Sequence, residues 1–422
     1  MKCLKQVLRS LILLIVIVPT LASAATSSSV PPHFLLTGSG FGHGVGMSQI
    51  GALGQAMEGE SSEQILNYWF TGTQVVSIPD EQLIKVSVAH KVLSATVSIA
   101  SGFSQSGINL SALADGAIDP SMIGTPSTTY RFSLVGKKIS VSIMNKPLAP
   151  RTLPAQSSWT ISWTGTTAYA AAPNGDPFTV VKLVTADGSI QLKYGQIQLK
   201  VVAGKMEVID TMTLEQYVLG ISEMSSSWLP AALQAQAIAS RTYGLAHLTL
   251  RSACQCNVYK STSDQAYIGY AKESEPGVGA NWKSAVSATE TDSTHAQVIE
   301  YLGKPISVYF FASDGGRTQS SADVWGTAYP YLVSVPDPWS LDIFLNPQYA
   351  HWQRVLIQKD VASAFNLPDV ISLAITARTT TNSATIITAT SIAGLTSQLT
   401  VGAFKSKLRI PASWFEIAPN TY

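Results

Sequence analysis

Gly220-Ile221-Ser222-Glu223-Met224-Ser225-Ser226-Ser227-Trp228 is the stretch around which the 422-residue chain is organised, with Leu229 to Leu250 behind it. One carboxylate, Glu223, stands between Ile221 and Met224, and Trp228 follows five residues on. Pro230 then opens an Ala-rich run that reads as a helix, because proline is preset for the first helical turn and alanine carries the best helix propensity. Acidic residues near a helix start usually serve the dipole or a cap, and on residue type alone that is the first reading of Glu223. The second is chemical: an apolar surround keeps a carboxyl protonated near neutrality, ready to act as a general acid.

Outward from this block the helical pattern continues on both sides. Thr213-Leu214-Glu215-Gln216-Tyr217 starts a short helix before Glu223, and Ala231, Ala232, Ala235, Ala237, Ala239 and Ala246 keep the long helix slim enough for close packing. Arg241 is its one strong charge at mid-helix. It either holds a carboxylate in a site or is a paired structural arginine. Farther out, between Leu83 and Val208, the period falls to two: Leu83–Val88, Leu93–Ile99, Tyr130–Leu134, Lys138–Met144, Trp159–Trp163, Phe178–Thr185, Ile190–Tyr194 and Ile197–Val201 read as strands. Asp187-Gly188 marks a hairpin turn, and Gln105 to Thr128, rich in Ser, Gly and Pro, reads as an insertion or long loop.

The second informative box is Thr37 to Gln49, with Gly38, Gly40, Gly42, Gly44 and Gly46 at alternate positions. It leaves a bare backbone that another chain or a ligand can approach. The spacing fits no nucleotide-binding fingerprint, and no lysine follows the last glycine. His43 is its one titratable group, either a substrate-orienting side chain or a histidine packed in a tight turn. Met47–Met57 and a segment from Ser61 to Gly72, with Gln64 placed for a capping box, read as two short helices. After strands at Val298–Leu302 and Ile306–Phe311 comes a polar and aromatic surface containing Ser313-Asp314-Gly315-Gly316. There Trp325, Trp339 and Trp352 either stack on sugar faces or pack in the core.

Composition and termini bear on location and partners. Lys2, Lys5 and Arg9 precede an apolar run from Leu11 to Val18, and Ala22-Ser23-Ala24 has cleavage-site character, so residues 1–24 read as a secretory signal peptide, with a retained anchor as the alternative. Removing them takes away three basic and no acidic residues and moves the formal charge from +1 to −2, which gives no basic footprint for nucleic acid. Charged residues make up only 13% of the chain, against roughly a quarter in typical domains, so its surface suits neutral polar material such as glycan. Of the three cysteines, Cys3 lies in the signal; Cys254 and Cys256 remain, as two free thiols, a labile bridge or, with His247, part of a metal site.

These blocks together resemble the stage II sporulation protein D and LytB family. The resemblance rests on Leu214 to Gly220, Ser222-Glu223-Met224, Ala235 to Tyr243, Asp264-Gln265-Ala266-Tyr267, Ser313 to Gly316, Asp323-Val324-Trp325-Gly326 and Gly42 to Gln49. It implies a cell-wall protein acting on peptidoglycan, either a lytic transglycosylase or an enhancer of a cell-wall amidase, with Glu223 at the position of the family's catalytic glutamate. His43, Gln49, Arg241, Ser313, Asp314, Gly315 and Gly316 are then expected as substrate-binding positions, with glycan strands as partner, no cofactor and no nucleic acid. Some relatives hold zinc near the region of Cys254, and the partial match here leaves that open.

The glycine–histidine box stands near the C-terminus in the sporulation proteins and at the start of the mature chain here. A circularly permuted order is therefore expected, with Thr37 next to the Phe415 region in space. The fold expected is α+β, mostly antiparallel sheet with a helical catalytic core. Residues 1–24 form the signal, 25–33 a flexible lead-in, 34–79 the glycine/histidine box with two helices, 80–209 the β-rich region and 210–422 the helical core and C-terminal α+β region. Residues 34–422 are expected to form one unit.

Overall fold

The computed structural model describes residues 30–104, 106–112, 123–145, 150–164 and 178–419. The expected signal, most of the lead-in and residues 105 and 113–122 of the Gln105–Thr128 stretch lie outside them. The fold is α+β, and its sheets are mostly antiparallel. In chain order the helices are α1 (Gln49–Met57), α2 (Ser62–Trp69), α3 (Leu214–Leu219), α4 (Pro230–Ala246), α5 (Gly279–Ser287), α6 (Ser321–Trp325), α7 (Gln358–Phe365) and α8 (Val401–Leu408).

Alternation in the middle of the chain produces two sheets. One has seven strands, centred on Leu83–Val92, Lys205–Thr213, Gln196–Val202 and Ser158–Trp163; the other has six, in which Ser94–Ser101 lies between Thr128–Val135 and Val180–Thr185. The Asp187-Gly188 signal closes the hairpin in which Thr185 pairs with Gly188. Within the stretch expected to be a loop, Ile108–Ser111 and Ile123–Gly124 pair as short strands. They extend the seven-stranded sheet, burying Ile108 and Leu110 where a polar loop would have left them exposed.

The helices obey their caps. Ser61 with Gln64 and Thr213 with Gln216 each form a reciprocal capping box, satisfying two orphan donors per helix. α2 stops at Trp69, before the expected Gly72, because the backbone leaves helical geometry at Phe70. α1 begins at Gln49 rather than Met47: Met47 and Ser48 instead pair in parallel with Phe310 and Phe311, and the Ser48 hydroxyl accepts from the Gly51 amide as the cap. Of the expected Ile306–Phe311 strand only Phe310–Phe311 forms, while Lys304–Pro305, just before it, pairs with Glu300 and Tyr301.

α4 is the axis of the helical layer. Pro230 sits in its first turn, and its alanines let α1, α2, α3 and α5 pack around it. Trp69 and Trp282 are fully buried beside it, and the Trp282 indole donates to the carbonyls of Val218 and Leu219, fixing the end of α3. A second, smaller core gathers Phe34, Leu36, Trp352, Phe365, Phe404 and Phe415. In its sheet His33–Ser39 runs between Trp352–Ile357 and Trp414–Ile417, with Thr37 opposite Glu416 and Gly38 opposite Phe415. The first and last described strands are thus neighbours, as the permuted order requires. Cys254 and Cys256 form a disulfide with Cα atoms 5.2 Å apart, an ordinary separation that resolves the alternatives left open for them.

Candidate active site

Glu223 lies on the rim between α3 and α4, held by a short antiparallel contact with the Asp264–Tyr267 block. The Ser222 amide donates to the Ala266 carbonyl at 2.7 Å, Ile221 bridges to Tyr267, and the Ile268 amide donates to the Gly220 carbonyl. The return bond reaches the carboxyl itself: the Ala266 amide donates to Glu223 Oε1 at 2.6 Å. Among the described residues no other hydrogen bond reaches this side chain. Burial raises the Glu223 pKa, and the Ala266 amide offsets only part of that rise.

Glu223 opens into a cavity of about 550 Å³ that His43 and Gln49 also line. Its walls are largely aromatic: Phe41, Tyr309, Phe310, Phe311 and Trp325 face it, with Tyr243 and Asp264 on another side. Trp325 is 42% exposed and its ring lies 4.5 Å from that of Tyr309 and 5.5 Å from that of His43. Trp339, by contrast, packs on Tyr68 and Trp69, and Trp352 belongs to the second core.

The glycine box explains how His43 reaches the cavity. Gly44 and Gly46 have φ of 79° and 83°, and a Cβ at Gly46 would stand 2.1 Å from the Tyr309 carbonyl, so only glycine allows this close approach. His43 Nδ1 accepts from the Val45 amide at 3.1 Å, which places the neutral ring's proton on Nε2. Burial, helped by the nearby Lys405 charge, lowers the His43 pKa to about 4, against an opposing backbone bond to Phe310. The ring is therefore neutral at pH 7. Lys405, from α8, donates to the Gly42 carbonyl at 2.7 Å, and burial lowers its own pKa to about 8. Gln49 Nε2 donates to Gln236 Oε1, whose amide nitrogen in turn donates to Ser240, tying the box to α4.

The other expected positions lie elsewhere. Arg241 is fully buried on a different face of α4, with Nε 3.5 Å from Asp80 Oδ2 and Nη1 donating to Thr289 Oγ1 and the Gln297 carbonyl. It is a structural arginine, with no access to a substrate in the Glu223 cavity. Ser313 and Asp314 are also buried; the Phe41 amide donates to the Ser313 carbonyl, and Gly315 lies against Trp414. Ser313-Asp314-Gly315-Gly316 thus supports the glycine box from behind. With both thiols joined, the Cys254 region offers zinc no thiolate. His247 stacks on Tyr243 with ring centroids 4.0 Å apart, so the donor set does not fit that ion.

Tyr243 and Asp264 were not singled out for the site by residue type. The available signal was the polar stripe Gln236, Ser240 and Tyr243, spaced four and three apart on an otherwise Ala-rich helix. Asp264 is fully engaged: Oδ1 accepts from Arg251 Nη2 at 2.6 Å and the Tyr243 hydroxyl at 2.7 Å, and Oδ2 from Arg251 Nη1 and the Tyr259 amide, each at 2.8 Å. Burial pushes its pKa up, but these donors together outweigh burial and hold it below the usual carboxylate range. Burial and the Asp264 carboxylate raise the Tyr243 hydroxyl well above its ordinary value.

The geometry is that of one unpaired carboxyl in an aromatic cavity, and comparison with known proteins agrees with the blocks that build it. Residues 202–301, which include Glu223 and Asp264, match the family described as Stage II sporulation protein. Over this segment the chain is similar to the SpoIID/LytB family. Its relatives include Stage II sporulation protein D of Bacillus subtilis, 30% identical over 159 residues, covering 36% of this chain and 46% of that one. An uncharacterised protein of Brachyspira hyodysenteriae is 36% identical over 146 residues, covering 34% and 37% respectively. The amidase enhancer of Bacillus subtilis is 32% identical over 116 residues, 28% of this chain and 14% of that one. The alignments span less than half the length of each of these family relatives. The glycine–histidine box lies outside the segment matched to the family, yet the fold brings it to Glu223.

Proposed function

We propose that this protein is exported and acts on peptidoglycan, cleaving glycan strands between N-acetylmuramic acid and N-acetylglucosamine by lytic transglycosylation. The observation that carries the reading is the single free carboxyl. Glu223 has one amide bond, a pKa raised by burial and a place in the cavity wall, whereas the other carboxylate there, Asp264, has both oxygens occupied by four donors. Ordinary glycosidases need a second carboxylate as nucleophile or base. An intramolecular nucleophile removes that need.

In the proposed reaction, protonated Glu223 gives its proton to the glycosidic oxygen as the C1–O bond of muramic acid breaks. The resulting carboxylate then takes the proton of the muramic acid 6-hydroxyl as its oxygen bonds to C1, closing a 1,6-anhydro ring and restoring the acid. The aromatic wall, with Trp325 at its exposed edge, suits the apolar faces of sugar rings. Neutral His43, with its proton on Nε2, and Gln49 are proposed to position hydroxyl and acetamido groups.

A second reading is favoured by the similarity to an amidase enhancer: a wall-binding regulator that stimulates a separate amidase without cutting glycan. The deciding experiment is mass spectrometry of products after incubating the purified mature protein, and Glu223→Gln beside it, with denuded and with intact glycan strands. Anhydro-muramic ends from the wild type alone are expected. Folded wild type that cuts neither substrate would overturn the transglycosylase reading in favour of the regulator.

A further inference from the structure

Asp264 owes its place to a piece of the chain that does not itself line the Glu223 cavity. The segment from His247 to Asn257 leaves the end of α4, turns back on itself and is closed by the Cys254–Cys256 disulfide. Inside that turn the Arg251 amide donates to the Cys256 carbonyl at 2.8 Å and the Gln255 amide to the Arg251 carbonyl at 2.7 Å, with Gln255 at φ 57°. Both sulfurs are fully buried. Asn257 fastens the far end, donating from Nδ2 to the Leu248 carbonyl and exchanging two bonds with Lys85 of the seven-stranded sheet. The backbone of Arg251 is thus fixed from both sides.

From this fixed backbone the guanidinium reaches Asp264 as a two-pronged fork, at 2.6 and 2.8 Å, and lies over the Tyr259 ring at 5.3 Å. Such paired, charge-assisted bonds set direction as well as energy. The side chain they hold is 1% exposed and takes the Tyr243 hydroxyl proton at 2.7 Å. With its proton committed there, the phenolic oxygen on the cavity wall is left to accept from a donor on the ligand, a hydroxyl or amide N–H.

We infer that the disulfide-closed turn is a positioning element for the Glu223 cavity, acting through Arg251 and Asp264 to aim the Tyr243 oxygen at a hydroxyl or acetamido donor of a hexosamine. Arg251 and Asp264 are positioning residues; Tyr243 is the group that touches the ligand. The identity of that ligand rests on the proposed glycan reading, but the relay itself does not.

The test is a cycle of four full-length mature proteins: wild type, Arg251→Ala, the pair Cys254→Ala with Cys256→Ala, and all three changes together, with Arg251→Lys as the conservative variant. Binding of denuded glycan strands is measured with Glu223→Gln added to each, so that turnover plays no part. Exchange of the Tyr259 amide hydrogen, which is bonded to Asp264, is followed by NMR without any ligand. Arg251→Ala and the cysteine pair are each expected to weaken binding about ten-fold and to speed Tyr259 exchange by a similar factor. The triple variant should be no worse than Arg251→Ala, because serial links do not add. Arg251→Lys should recover part of the loss, as it keeps the charge but not the fork.

A folded Arg251→Ala protein with wild-type Tyr259 exchange would overturn the inference, as would cysteine and arginine effects that multiply. If the wild type binds glycan without cutting it, the transglycosylase reading falls and the binding cycle still decides the relay. If it does neither, the exchange cycle decides it alone.

Discussion

Two cavities flank α4, both holding a carboxyl whose pKa burial raises, and only one has the form of a reaction site. Around Glu223 the wall is aromatic and the acid stands alone on one amide bond. On the Arg241 side, a cavity of about 390 Å³ is lined by Asp80, Glu81, Glu215, Glu290 and Asp292. There burial raises Asp80 to about 6 against the pull of Arg241, while burial and the neighbouring Glu215 raise Glu290 to about 8. The second cavity has the larger shifts and the more numerous acids, but its carboxyls face one another and a buried guanidinium. A raised pKa marks a buried acid. What distinguishes Glu223 is that, among the described residues, only the Ala266 amide bonds its carboxyl.

The sharpest way to break this contrast is to remove the proton at each side. Glu223→Gln keeps an acceptor for the Ala266 amide, so the fold should be unchanged, while anhydro-product formation should fall between about 10²- and 10⁴-fold, the range for general acid catalysis. Glu290→Gln should leave the rate within a factor of about two, the reproducibility of small surface effects. Equal losses in the two would mean that the acidic cavity takes part in chemistry.

Arg241 tests the other half. Removing one member of a buried ion pair leaves an uncompensated charge, so Arg241→Met should cost about 3–5 kcal/mol in urea unfolding at pH 7. Its KM should stay near that of the wild type at temperatures where the variant is folded. A stable Arg241→Met protein that binds glycan poorly would return Arg241 to the site.

Acidity separates the cavities again. The folded protein keeps the Glu290 proton up to about pH 8, whereas an unfolded chain releases it near 4.5, so the folded state binds more protons in between. Stability contributed by this group is present at the acidic end of that window and is lost as pH rises through about 8. Melting temperature should therefore fall from pH 6 to pH 9, and Glu290→Gln should flatten the slope. Product formation should also decline with rising pH, through the raised Glu223 pKa, and that decline should persist in Glu290→Gln.

How much of this was legible in the chain follows from distance along it. The capping box at Ser61–Gln64, the helix start at Thr213 and the Pro230 start are local and formed as read, and the strands read from alternation formed with bounds shifted by a few residues. On residue type alone Glu223 reads first as a helix-dipole residue, and the resemblance of its Ser222-Glu223-Met224 block to a known family is what makes it a catalytic candidate; His43 stands out by the glycines around it. Arg241 could not be placed, because its partner Asp80 lies in a turn more than 150 residues earlier, and mid-helix position does not reveal which face meets it. Asp264 and Tyr243 were missed for the same reason: their arrangement depends on Arg251, held by a two-residue-spaced disulfide that spacing alone left open. The Ser313–Gly316 loop carried the right signal for close backbone approach but not its direction. Its glycine seats Trp414 rather than a ligand.

The smallest expected effect concerns the aromatic wall. Trp325 is 42% exposed and backed by Tyr309 and His43, so its ring is held at the cavity edge without being needed in the core. If it stacks on a sugar, Trp325→Ala should raise KM by about three- to ten-fold, an aromatic contact being worth roughly 0.5–1.5 kcal/mol, and should leave kcat nearly constant, since stacking is the same before and during bond breaking. Trp325→Phe should restore most of the affinity. A fall in kcat with KM unchanged would instead tie Trp325 to the position of the His43 ring, only 5.5 Å away, and move it from holding substrate to shaping the site around Glu223.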